Sequence, residues 1–176
     1  MTRFTAIDLP IFTGLYDELN KLNIEWTNNQ ICMNAPKEYI DDPSFGVGRL
    51  LKEYKYGDSI EQSEIISSLR NGDWDLCSAF VGTQFETLFN AVKSKYKIGR
   101  MRLMKSTPKT CLGWHQDPVP RLHYPIKTDE GCLMVIENEV KFLPENEWWL
   151  TDTTVSHTAL NASEGERIHI VSDLLP

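Results

Sequence analysis

His115 and Asp117, in the stretch Gly113-Trp114-His115-Gln116-Asp117, are the residues of this chain best placed to do chemistry. On an extended segment residues two apart project from one face, so the imidazole and the carboxylate would converge on one point. A further nitrogen donor, His157, follows 42 residues later within Val155-Ser156-His157-Thr158. Two histidines and one carboxylate form the facial ligand set of non-haem Fe(II), which leaves positions open for a co-substrate and oxygen. Catalytic zinc also accepts two histidines and a carboxylate, so the donor types alone leave the metal open. Ten residues beyond His157 stands Arg167, an always-charged planar fork suited to gripping a carboxylate. It opens an apolar strand, sharing a face with His169 and Val171 while Ile168 and Ile170 take the other.

The elements that must position these groups are short strands. From Lys97 onward the chain reads as eight of them: 98–104, 110–115, 121–126, 131–137, 140–143, 148–150, 155–160 and 167–174. Turn residues such as Thr128-Asp129-Glu130-Gly131 and Asn161-Ala162-Ser163-Glu164-Gly165 separate them, which suggests a double-sheet jelly roll. The first half reads differently. Ile11, Phe12, Leu15, Leu19 and Leu22 have helical spacing, and Phe85, Leu88, Phe89 and Val92 mark one face of a second helix within 74–95. Another helix is expected from a Ser59 cap to Arg70, and a helical turn near Leu50–Tyr54. Residues 23–34 read as two short extended pieces joined by a turn near Asn28-Asn29. Nothing in this half looks like chemistry; its helices are expected to brace a sheet and its loops to cover a pocket.

At 176 residues, with 41% hydrophobic and 24% charged content, the chain fits one soluble domain with a genuine core. No apolar run approaches the ~18 residues of a membrane-spanning helix. Met1-Thr2-Arg3-Phe4 lacks the apolar core of a signal peptide, so a cytoplasmic protein is expected. Cys32, Cys77, Cys111 and Cys132 show no C-x-x-C spacing and are expected to be reduced and buried. A net charge of −7 argues against nucleic acid as the partner. The expected partner is a small-molecule or peptide substrate, with no membrane involved and the oligomeric state open.

The strings Trp114-His115-Gln116-Asp117, Arg121-Leu122-His123-Tyr124-Pro125-Ile126, Ser156-His157 with Asn161, and Arg167-Ile168-His169 together resemble a known family. It is the 2-oxoglutarate/Fe(II)-dependent oxygenases, in the aspartyl/asparaginyl β-hydroxylase-like branch that also contains free-proline hydroxylases. The resemblance covers about residues 96–175 and leaves 1–95 unmatched. It implies a mainly β, α+β protein: a double-stranded β-helix (jelly-roll) core over 96–175, supported by helices and loops of 1–95, in a single domain 1–176. It further implies that His115, Asp117 and His157 ligate iron and form the catalytic centre. Arg167 would meet the distal carboxylate of 2-oxoglutarate, and the cofactors would be Fe(II), 2-oxoglutarate and O2. The implied reaction hydroxylates an amino acid or a peptide or protein side chain and releases succinate and CO2. A departure from the pattern is Glu145-Asn146-Glu147, where relatives usually have a glycine turn.

In the mammalian-type β-hydroxylases an Arg-x-His segment supplies a metal ligand and no H-x-D aspartate is used. Here Arg121-Leu122-His123 is present beside a complete H-x-D pair. His115 and Asp117 are therefore assigned to iron, and Arg121 and His123, on one strand face, to a co-substrate or substrate carboxylate. His169 is expected to support a neighbouring group. Two other functions stay open: a cupin-like metalloenzyme without an oxo acid, which would not need Arg167, and a non-catalytic jelly-roll binding module.

Overall fold

A computed structural model describes residues 2–48 and 71–176. The helix expected at Ser59–Arg70 and the turn near Leu50–Tyr54 lie outside the described residues.

Twelve strands are described. They are β1 (Phe4–Ala6), β2 (Gln30–Cys32), β3 (Asn34–Ala35), β4 (Asp75–Leu76), β5 (Ile98–Ser106), β6 (Thr110–Cys111), β7 (Arg121–Lys127), β8 (Cys132–Ile136), β9 (Glu139–Phe142), β10 (Trp149–Thr151), β11 (His157–Asn161) and β12 (Arg167–Leu174). The eight strands expected after Lys97 are all present. Together with β1 and β2 they form an antiparallel six-stranded sheet, β1-β10-β7-β12-β5-β2, and a four-stranded sheet, β6-β11-β8-β9. β3 and β4 pair separately. The protein is a double-stranded β-helix, mainly β, with helices on one outer face.

The large sheet has two buried faces of opposite chemistry, because successive side chains point to opposite sides. Outward go Met101 and Leu103 of β5, Ile168 and Ile170 of β12, and Leu122, Tyr124 and Ile126 of β7. They form one core with Leu15 and Leu19 of α1 (Leu15–Leu22) and with Phe85, Leu88, Phe89 and Val92 of α2 (Gln84–Lys95). The four apolar positions read from the spacing of the second helix are its buried ones. Each fully buried side chain of this kind stabilises the fold by about 1.5–3 kcal/mol. The N-terminal segment is tied to the same face: Tyr124 Oη accepts from Phe12 N at 2.8 Å and donates to Phe12 O, and Trp148 Nε1 donates to Pro10 O.

Both helices start later than their periodicity suggests. α1 begins at Leu15 because Gly14 takes a left-handed φ of 81° just before it and the Phe12 backbone is held by Tyr124. α2 begins at Gln84 rather than near Trp74, since Asp75–Leu76 pairs as β4 and a 3-10 turn covers Ser78–Phe80. Thr83 caps α2 by accepting from Phe85 N at 3.1 Å, and Glu86 reaches back to Gly82 N at 2.7 Å. Asn28 and Asn29, both with positive φ, make the tight turn ahead of β2. Asn146 stands at φ 63°, so asparagine supplies the left-handed turn where the resembled family has glycine. Trp148 is buried in the core and Trp149 lies between the sheets under Lys141.

Cys32, Cys77 and Cys132 are buried free thiols, whereas Cys111 is exposed, contrary to expectation, because β6 is an edge strand. Among the described residues no helix is long and apolar enough to cross a membrane.

Candidate metal centre

The inward face of the large sheet carries the chemistry. β12 presents Arg167, His169, Val171 and Asp173, and β5 presents Arg100, Arg102 and Met104. β7 presents Arg121 and His123, opposite Asp173 and Val171 respectively. Asp173 keeps this alternation and pairs with Arg121 across β7.

His115 does not continue β6 as a strand; it makes an isolated antiparallel bridge with His157, the first residue of β11. The two backbones exchange hydrogen bonds of 3.0 and 2.9 Å, and Asp117 N donates to Thr153 O at 2.8 Å. The clasp sets the imidazole centroids 4.2 Å apart. Ligand atoms of His115, Asp117 and His157 all fall within 4.8 Å of one another, a group that could hold a metal ion.

The hydrogen bonds fix the tautomers. His115 Nδ1 lies 2.8 Å from Gly113 O and His157 Nδ1 3.0 Å from Val155 O. A carbonyl can only accept, so both Nδ1 atoms carry the proton and both Nε2 atoms present lone pairs, the form a metal requires. His157 Nε2 faces Asp117 Oδ2 at 3.2 Å, and that buried oxygen accepts no hydrogen bond. Two lone pairs opposed in a buried site are satisfied by a cation between them, so the donor set fits a metal ion. The other carboxylate oxygen, Oδ1, is 2.7 Å from Arg121 Nη2. Burial opposes the Asp117 charge, but its pKa is lowered, and with both imidazoles neutral it is the Arg121 guanidinium that favours the carboxylate.

Arg121 is thereby engaged by acids: Asp117 on one side and Asp173, 3.2 Å from Nε, on the other. His123 is buried and its Nδ1 lies 3.4 Å from His169 Nδ1. His169 Nδ1 also receives Arg167 Nη2 at 3.0 Å, which leaves the His169 proton on Nε2. Arg167 Nε, His169 Nε2 and His123 Nε2 are buried without hydrogen-bond partners. Arg167 Nε and His169 Nε2–H are thus two unspent donors, the chemistry that a carboxylate of an oxo acid would meet. Burial lowers both imidazole pKa values well below the ordinary range, helped at His123 by Arg167 and Arg121 and at His169 by Arg167 and His123. Burial also brings the Arg167 pKa down to about 10. Upstream of Arg167, Asn161 pins the turn, donating to Ser106 O and Gly165 O and accepting from Ser163 N.

Sequence reasoning passed over Arg100, Arg102 and Asp173, all buried. Asp173 lies 3.8 Å from Arg100 Nε and so ties β5 to the Arg121–Asp117 pair. The available signal was Arg100-Met101-Arg102-Leu103, two charges in strict alternation with core residues.

Residues 79–176 match the model of a family described as aspartyl/asparaginyl beta-hydroxylase. Among solved structures, an oxidoreductase of the 2OG-Fe(II) oxygenase family from Burkholderia pseudomallei superposes with a TM-score of 0.42 and 14% identity, over 67% of this chain and 60% of that one. A cupin domain from Bordetella pertussis Tohama I gives 0.39 and 16%, over 44% of this chain and 81% of that one. No curated protein matches the chain in sequence.

Proposed function

This chain belongs to the aspartyl/asparaginyl β-hydroxylase family, and from that premise we propose that it is an Fe(II)- and 2-oxoglutarate-dependent dioxygenase. It hydroxylates an amino acid or a peptide or protein side chain and releases succinate and CO2. The observation that carries the reading is the opposed lone pairs of Asp117 Oδ2 and His157 Nε2, with His115 beside them. When bound, Fe(II) with 2-oxoglutarate and O2 supplies the oxidising power to hydroxylate an unactivated C–H bond.

The chain's own residues do the rest. His115, Asp117 and His157 hold the metal, and Arg121 fixes Asp117 through Oδ1 so that Oδ2 stays directed at it. Gly113 O and Val155 O hold each imidazole in the Nδ1–H tautomer. Arg167 takes the distal carboxylate of the co-substrate, with His169 Nε2–H as a second donor. His123 orients His169, and both stay neutral, so no proton is exchanged with the co-substrate carboxylate. Phe4, Met134, Ile136 and Leu143 form a second buried apolar cluster, and its Ile136 pairs with His157 across β8 and β11. The assignment of Arg167 and of the unspent donors favours this reading over a cupin-like metalloenzyme that uses no oxo acid.

Anaerobic titration of 2-oxoglutarate into the Fe(II) protein tests it. A weak visible charge-transfer band is expected in the wild type and not in Asp117→Ala, which removes the charged ligand. Iron stoichiometry supplies the second arm: His115→Ala should lose iron and His123→Ala should keep it. Iron retained in His115→Ala and lost in His123→Ala would require the ligand set to be redrawn.

A further inference from the structure

The N-terminal segment reaches closer to the metal centre than its sequence suggests. Between β10 and β11 the chain makes a loop, residues 152–156, on which several of the site's backbone contacts converge. Thr153 O accepts from Asp117 N at 2.8 Å, and Thr153 Oγ1 donates to Val119 O at 3.1 Å. Val155 O holds the proton of His157 Nδ1 at 3.0 Å. Ser156, next to His157, accepts through its O from Glu137 N at 2.9 Å. Two of the three metal donors, Asp117 and His157, are thus aimed by one short loop.

Arg3 grips both ends of that loop. At its start, Asp152 N donates to Arg3 O at 3.0 Å, and Arg3 Nη1 donates to Asp152 Oδ2. Thr154 Oγ1 donates to Asp152 Oδ1 at 2.5 Å, so both oxygens of that carboxylate are held. At its end, Arg3 Nη2 and Nε donate to Glu137 Oε2 at 2.7 and 3.1 Å, and the Glu137 backbone is the one bonded to Ser156. Asp152 follows β10 of the large sheet and Glu137 follows β8 of the small one. One planar fork therefore ties two acids from different sheets, which an ammonium, a single point of charge, does not do.

Arg3 is itself fixed in place. Its backbone N donates to both carboxylate oxygens of Glu139 at 3.3 Å, and the next residue, Phe4, pairs with Thr151 and packs among Ile136 and Leu143. The side chains of Arg3, Glu137 and Asp152 are 23%, 44% and 29% exposed. Ion pairs so open to water add little to global stability. Their effect is one of direction. Asp117 Oδ2 and His157 Nε2 stand 3.2 Å apart, and a ligand set works only when its members are held to within about 0.5 Å. A loop free to shift would spoil that spacing at two donors together.

We propose that Arg3 is a positioning residue of the metal centre: by clamping Asp152 to Glu137 it fixes the 152–156 loop, and through it the Asp117 carboxylate and the His157 imidazole. The role rests on the metal reading given above. Arg3 touches neither ligand side chain; it acts through the backbone of Thr153, which holds Asp117, and that of Val155 and Ser156, which set His157.

Two rates test it: amide hydrogen exchange in the metal-free protein, which reads the clamp, and anaerobic release of Fe(II) to excess EDTA, which reads what the clamp does for the metal. In Arg3→Gln the Asp117 and Glu137 amides should exchange several-fold faster, while those of β5 and β12 keep their wild-type protection. Iron release should quicken by about tenfold, the lower end of what groups behind a metal's ligands contribute. Arg3→Lys keeps the charge but meets one acid at a time, so it should recover only part of the loss. High salt screens the clamp and should bring the wild-type release rate toward that of Arg3→Gln. Leu88→Ala, which loosens the outer core, is the control: it should lower the melting temperature more than Arg3→Gln does, yet release iron at the wild-type rate. Either rate unchanged in Arg3→Gln, or iron lost as fast from Leu88→Ala, would overturn the proposal. A wild type that takes up no Fe(II), with the Arg3→Gln amides still quickened, keeps the clamp and removes the metal reading.

Discussion

Arg121 shows how one residue's role depends on what its neighbours take from it. From the strand alternation it was expected to face inward with His123 and hold an incoming carboxylate. It does face inward, but Asp117 and Asp173 both contact its guanidinium. Arg167 keeps an unspent Nε. Lysine preserves charge but loses the fork, so Arg167→Lys should raise the KM for 2-oxoglutarate more than it disturbs iron content. An unchanged KM in both Arg167→Lys and Arg167→Ala would remove that role. His123 and His169 make a pH prediction. Their folded pKa values are depressed, so below about pH 6.5 the unfolded chain binds protons that the folded chain does not. Their contribution is fully present above that pH and is lost as pH falls toward the folded values, at up to about 1.4 kcal/mol per pH unit for each imidazole. Urea unfolding of the metal-free protein between pH 7 and 5 should show this slope, and replacing both histidines by asparagine should flatten it.

At the scale of elements, the strands were legible because their faces are chemically sorted. β12 reads Arg-Ile-His-Ile-Val-Ser-Asp-Leu, and its charged and apolar positions alternate as they do in the sheet. β5 alternates too, yet its local pattern does not say whether Arg100 and Arg102 face solvent or the interior. The face they occupy is covered by the carbonyls of Gly46 and Gly48, which local pattern cannot supply. The helix starts were misplaced for a related reason: Ile11 and Phe12 continue the apolar period of α1, but Phe12 spends its backbone on Tyr124. The helical face itself was readable to the residue. Leu88 of α2 is fully buried in the outer core, so Leu88→Ala should lower unfolding free energy by about 2–5 kcal/mol in urea melts. A loss near zero would mean that α2 does not brace the sheet as described. Because Leu88 touches the outer face, iron stoichiometry of the folded variant should stay unchanged.

For the whole molecule, net charge does not say where charge of either sign is placed. The chain carries a net charge of −7, yet the inward face gathers four arginines, so sign is partitioned between surface and chamber. The metal group was legible from spacing because its three donors are close to fixed points of the fold: two flank a single backbone bridge and the third lies two residues from it. That same arrangement has a mechanical side. His115 and His157 enclose β7, β8, β9 and β10, so an ion gripping both ends ties a loop of 42 residues shut. Such a tie, if it outlasted unfolding, would withhold loop-closure entropy on the order of 4 kcal/mol from the unfolded chain. The ion is then a removable staple, and the speed at which the barrel opens should answer to a chelator. In urea jumps, EDTA should accelerate unfolding of the loaded wild type and leave Asp117→Ala unaffected; equal rates with and without EDTA in the wild type would show that the loop opens without regard to the ion.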